Sequence, residues 1–149
     1  MDRHYRCKWV SFRSASTLSA HQQIVILRDA LLGLLEVQVS LPVIALHNNT
    51  PGDYSIQEYL PSGSEAKNAK EVVIDPGLSP NDFFLVTDSG LFAKFRLAKF
   101  NVVLQSDTPL DDGSLSVWFQ RQHRPYVNVE ALSNHRGVQR AMLDAIVRP

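Results

Sequence analysis

The sequence predicts an α+β fold. We expect a curved, mostly antiparallel sheet of about five to seven strands. A long N-terminal helix (about 19–36) and a short C-terminal helix (about 134–147) pack on it. Three observations predict this. Ile24, Leu27, Leu31, Leu34 and Leu35 recur at helical spacing, as do Val138, Ala141, Met142, Ala145 and Ile146. Short runs rich in β-branched and aromatic residues fill the middle, separated by Gly, Pro, Asn and Asp. The chain has 149 residues, one ordinary domain's length, so 1–149 reads as a single domain.

The elements follow in order. Tyr5, Cys7 and Trp9 alternate with His4, Arg6 and Lys8, which predicts a half-buried first strand. Ser14, Ser16, Thr17 and Ser19 are helix-capping residues rather than a nucleophilic cluster. In the long helix, Val25, Ile26 and Leu32 widen the apolar stripe, so more than one side needs cover. Residues 37–47 read as a strand that starts after Pro42 or lies on an edge. Residues 48–70 read as loop-rich and partly flexible, with a short strand at 54–60 as an option.

Residues 71–74 and 82–87 are strands. The Asp88-Ser89-Gly90 run suits a three-residue hairpin turn leading into a long second arm, 91–105. Phe92, Phe95 and Lys99 also fit a helical period, so a short helix at 91–99 is the alternative. Leu115, Val117 and Phe119 alternate with polar residues and Trp118, which predicts a strand. Tyr126–Glu130 is another strand, with Val127 and Val129 inward. Ser133 or Asn134 caps the last helix.

Lysine plus arginine and aspartate plus glutamate each number 15, so the net charge is zero. A generally basic nucleic-acid binder is excluded, but the charge is segregated. Residues 1–28 carry five bases and one acid, 29–93 two bases and nine acids, and 94–149 eight bases and five acids. Cys7 is the single cysteine, so no internal disulfide or Cys/His zinc pattern is available. The first residues are too polar for a signal peptide, and no run approaches the roughly 18 apolar residues of a membrane span. A reducing cytoplasm is the expected location. We expect no metal and no cofactor, because GxGxxG, P-loop and HExxH patterns are missing.

Six residues stand out as a binding set: Trp118, Arg121, His123, Arg124, Arg136 and Arg140. His123 with Asp111 or Asp112 offers a general-base pair, although an exposed polar loop is the simpler reading. The arginines of that loop suit an anion, gripped in bidentate fashion. Arg136 and Arg140 open the last helix, where free N–H groups favour an acidic partner. A solvated face with an Arg140–Asp144 pair is simpler. His47 closes a strand, and Asn48-Asn49 reads as a turn. Lys94, Arg96 and Lys99 with Arg6, Lys8 and Trp118 form a candidate basic sheet face.

These features point first to a non-enzymatic protein-interaction module of the adaptor, inhibitor or immunity type. It docks another protein or a second copy of itself through a two-signed surface. The alternative is a small-ligand-binding protein or enzyme. Its pocket, between sheet and helix, is lined by Phe83, Phe84, Phe92, Phe95, Phe100 and Phe119. Nucleic-acid binding on the basic sheet face is the weaker alternative, and a membrane partner is not expected.

Overall fold

The structure, a computed structural model, describes residues 18–36, 41–52 and 54–148. The expected first strand with Tyr5, Cys7 and Trp9, and the caps Ser14, Ser16 and Thr17, lie outside the described residues. The chain divides into two units, Met1–Val37 and Gln38–Pro149.

The first unit contains helix α1, Ala20–Glu36. A reciprocal cap starts it: Ser19 Oγ accepts from the Gln22 N–H at 3.3 Å, and Gln22 Oε1 accepts from the Ser19 N–H at 2.8 Å. Ile24, Ile26, Leu27, Leu31 and Leu34 are exposed along it.

The second unit is α+β, built on a five-stranded mixed sheet. Its elements are β1 (Val43–Asn49), a 3₁₀ helix (Ile56–Tyr59), a second 3₁₀ helix (Ala66–Asn68), β2 (Ala69–Val73), β3 (Phe83–Val86), α2 (Ser89–Leu97), β4 (Val102–Gln105), α3 (Leu115–Arg121), β5 (Tyr126–Leu132) and α4 (Arg136–Val147). The strand order is β1-β5-β3-β4-β2. β1 pairs β5 and β3 pairs β4 in parallel, whereas β2–β4 and β3–β5 are antiparallel. The expected mostly antiparallel sheet is thus corrected to a mixed one. β1 begins directly after Pro42 and lies on an edge, where a missing donor is tolerated.

Both faces of the central strands are covered, so β3 and β4 are buried at every position. On one face Phe84, Val86, Val102, Leu104, Val127 and Val129 pack under Phe92 and Phe95 of α2 and Met142 and Ile146 of α4. On the other, Phe83, Leu85 and Val103 pack under Ile56 and Tyr59. The expected short strand at 54–60 is the first 3₁₀ helix, and residues 48–70 supply these two core side chains. Gly63 fits here because a Cβ would stand 2.0 Å from the Glu58 backbone oxygen.

Two further elements differ from expectation. The 82–105 hairpin is a strand–helix–strand crossover. Asp88 is an N-cap whose side chain accepts from the Leu91 N–H at 2.8 Å, and Phe92 and Phe95 face the core. The helical option at 91–99 is the one realised. The predicted strand at 115–119 is α3, started by Ser114, whose side chain accepts from the Val117 N–H. Its chain reverses at His123, which sits in the left-handed region at φ 51. The Arg124 N–H reaches the Phe119 carbonyl at 3.0 Å. The 121–124 segment is therefore a helix C-terminus, not a hairpin loop. Lastly, α4 starts at Arg136 without a side-chain cap. The preceding His135 turns instead to the buried Asp82, with Nδ1 and Oδ2 at 2.8 Å. Asp82 Oδ1 also accepts from the Leu132 N–H at 2.8 Å.

Candidate functional cleft

Side chains alternate along a strand, so Tyr126, Asn128 and Glu130 share one face of β5 and Val127 and Val129 the other. The parallel register places His47 beside Glu130, Ala45 beside Asn128 and Val43 beside Tyr126. The apolar face goes to the core under α2 and α4. The polar face opens onto a cleft of about 630 Å³. Its lining includes His47 and Asn49 of β1, Tyr54, Tyr59, Glu65, Asp112 before α3, Ser114, Ser116, and Asn128 and Glu130 of β5. That volume is in the range of small-molecule sites.

Glu130 is the centre of the cleft and is 4% exposed. Its Oε1 lies 3.2 Å from His47 Nδ1 and accepts from Asn128 Nδ2 at 3.0 Å. Its Oε2 accepts from Asn49 Nδ2 at 3.5 Å, and the same Nδ2 donates to the Asn81 carbonyl at 2.8 Å. Both asparagine NH₂ groups are therefore committed to acceptors, which fixes the amide orientations. The Oδ1 atoms of Asn49 and Asn128 are buried with no hydrogen-bond partner among the described residues. A buried acceptor left unpaired costs about 1–3 kcal/mol.

Tyr54 and Tyr59 also line the cleft, with their hydroxyls hydrogen-bonded to each other. Burial pushes the Tyr54 hydroxyl up to about 12, with the Glu130 charge adding to it and the Tyr59 hydrogen bond opposing it. Burial raises Tyr59 as well, reinforced by Tyr54 beside it. Tyr126, stacked on Phe119 with ring centroids 5.1 Å apart, is pushed to about 12 by burial and then by Glu130. The phenols are neutral donors at physiological pH.

Chemically, the cleft offers a buried carboxylate, an adjoining half-exposed imidazole, phenol hydroxyls and unpaired carbonyl oxygens. That arrangement presents both acceptors and donors to a hydrogen-bonding ligand. Ser114 Oγ is occupied with the Val117 N–H and Ser116 Oγ. Among the described residues, no group of three His, Cys, Asp or Glu side chains could hold a metal ion.

The structure distributes the six residues singled out in the sequence elsewhere. Trp118 is half-buried, edge-on to Phe119 with centroids 4.9 Å apart. Arg121 pairs with Asp111 at 2.6 Å, and that contact holds the Asp111 carboxyl below its ordinary range. Arg124 lies over the Phe119 ring at 5.2 Å. His123 and Arg124 border a smaller cavity of about 270 Å³ with Lys70, Thr87, Ser89 and Gln120. Lys70 there is held by Asp107 at 2.6 Å.

Arg136 and Arg140 are exposed on α4. The 121–124 turn precedes β5 and Arg136 follows it, so this seven-residue strand sets them roughly 20 Å apart. Asp144 pairs with Arg148 at 3.8 Å. Lys94 and Arg96 stand on α2, and Lys99 follows it, rather than on a sheet face. Lys94 Nζ donates to the Ile146 carbonyl at 3.0 Å, and Arg96 pairs with Glu71 at 3.3 Å. Of the six phenylalanines proposed to line a pocket, five are core and Phe100 is half-buried.

The sequence did carry a signal for the cleft. Asn128 and Glu130 are polar residues two apart in an otherwise apolar strand, which puts both on one face. Among the described residues no helix is long and apolar enough to cross a membrane. No protein family, no curated protein and no solved structure matches this chain.

Proposed function

We propose that the Gln38–Pro149 unit binds a small polar molecule in the cleft over β1 and β5. One observation carries this reading. A buried carboxylate, Glu130, lines an open cleft with two asparagines whose buried oxygens have no partner among the described residues. Burying such groups costs stability, and an apolar face would pack more favourably. Retaining them fits a site whose missing partners come from a ligand. Saturation-transfer NMR with a fragment library tests this. Fragments bind the wild-type protein, and Glu130→Gln weakens them roughly tenfold, the loss of one charge-assisted contact. His47→Ala, at a side chain 54% exposed, is the companion variant that spares the core. Failure of any fragment to bind, or binding indifferent to both variants, contradicts the reading.

A second reading, a protein-interaction module that self-associates, is favoured by the exposed Ile24, Leu27, Leu31 and Leu34 of α1. Sedimentation at several salt concentrations tests it. Self-association abolished by Leu27→Glu with Leu34→Glu supports it, and a strict monomer contradicts it. For either reading we place the protein in a reducing cytoplasm, on the single cysteine of the sequence.

A further inference from the structure

We infer that the ligand of the cleft is a cation rich in hydrogen-bond donors, of the amine, amidine or guanidine class. This inference rests on the cleft being a ligand site. Among the described residues, the charged groups lining it are Glu65, Asp112 and Glu130, with His47 as the single basic side chain and no lysine or arginine. Such a concave, partly desolvated surface of one sign selects the opposite sign.

The hydrogen-bonding inventory points the same way. Glu130 is committed to two asparagine NH₂ groups and to His47 and still has carboxylate lone pairs to offer. Asn49 and Asn128, each 7% exposed, have their NH₂ groups engaged and their oxygens unpaired. What the floor lacks is donors. A carboxylate or phosphate ligand would set its oxygens against those of Glu130, Asn49 and Asn128. An ammonium or amidinium brings two or more N–H groups to the same atoms. The half-buried Tyr54 ring on the wall adds aromatic surface that suits a flat cation.

Acidity is distributed in support of this. Glu65 Oε2 takes the Asn68 NH₂ at 2.7 Å, and Asp112 Oδ1 takes the Ser114 N–H at 2.8 Å. Both carboxylates are thereby fixed with no counter-cation among the described residues, so their charge is left for what enters the cleft.

The test uses three probes of one shape: benzamidine, benzamide and benzoate. Each is titrated into the full chain while the side-chain amide resonances of Asn49 and Asn128 are followed. Benzamidine moves those resonances and binds roughly tenfold or more tighter than benzamide, and benzoate leaves them unmoved. Asp112→Asn, at an exposed position, weakens benzamidine without changing benzamide. Benzamide or benzoate moving the two amides as strongly as benzamidine overturns the ligand class while the cleft stands as a site. No probe moving them overturns the class and counts against the cleft itself.

Discussion

Phe95→Ala is expected to destabilise the protein by about 3–5 kcal/mol, the usual loss for a truncated core phenylalanine. The Phe95 ring is fully buried and stacks on Phe84 with centroids 3.9 Å apart and planes 13° from parallel. It fixes α2 to the sheet, beside Phe100, which meets Phe84 edge-on at 5.3 Å. Leu97, two residues on, is 83% exposed, and Leu97→Ala should stay within about 0.5 kcal/mol. The pair separates helix from strand, because in a hairpin arm residues 95 and 97 share a face and their costs would be similar. Urea denaturation of the two variants reads the difference. Since domains hold only about 5–15 kcal/mol in total, the Phe95 variant is left near its unfolding limit.

Alkaline pH should weaken the fold steeply. Tyr126 is neutral in the native state up to about 12, whereas in the unfolded chain it ionises near the ordinary tyrosine value of about 10. Its contribution is intact below pH 10 and is lost as pH rises through 12. Over that interval the unfolded state binds fewer protons than the native state, so unfolding becomes easier. One such tyrosine removes about 1.4 kcal/mol per pH unit. Tyr54 and Tyr59 act in the same direction, since burial raises both. Chemical denaturation at a series of pH values gives the slope, and Tyr126→Phe should reduce it. An unchanged slope in that variant would contradict the burial assigned to the Tyr126 hydroxyl.

Helices α1 and α4 and the strand at 126–130 are legible in the sequence because each carries apolar residues at one period, and the strand at 82–87 because Phe83 to Val86 is a continuous apolar run. Other segments misled for physical reasons. Asp88-Ser89-Gly90 has the composition of a tight turn, yet the same aspartate is an N-cap, and only the i,i+3 spacing of Phe92 and Phe95 separates the two. Leu115, Val117 and Phe119 alternate, but α3 is seven residues long, too short for its period to be distinguished from a strand's. The cleft was harder still. Its residues come from β1, the 54–65 segment, the approach to α3 and β5, and the parallel β1–β5 pairing brings His47 and Glu130 together across 83 positions. Arg121 and Arg124 stand out in the sequence only as charged residues near a turn. Their partners, Asp111 and the Phe119 ring, were visible only once α3 had formed.

On the proposed reading, the polar face of β5, and neither the end of α3 nor the surface of α1, receives the ligand. The most direct measurement of this is a chemical-shift map of the full chain titrated with a fragment that binds it. The largest changes are expected on the side-chain amides of Asn49 and Asn128 and on the backbone of Glu130. Changes concentrated at 121–124 or along α1, with those three residues unmoved, would contradict it.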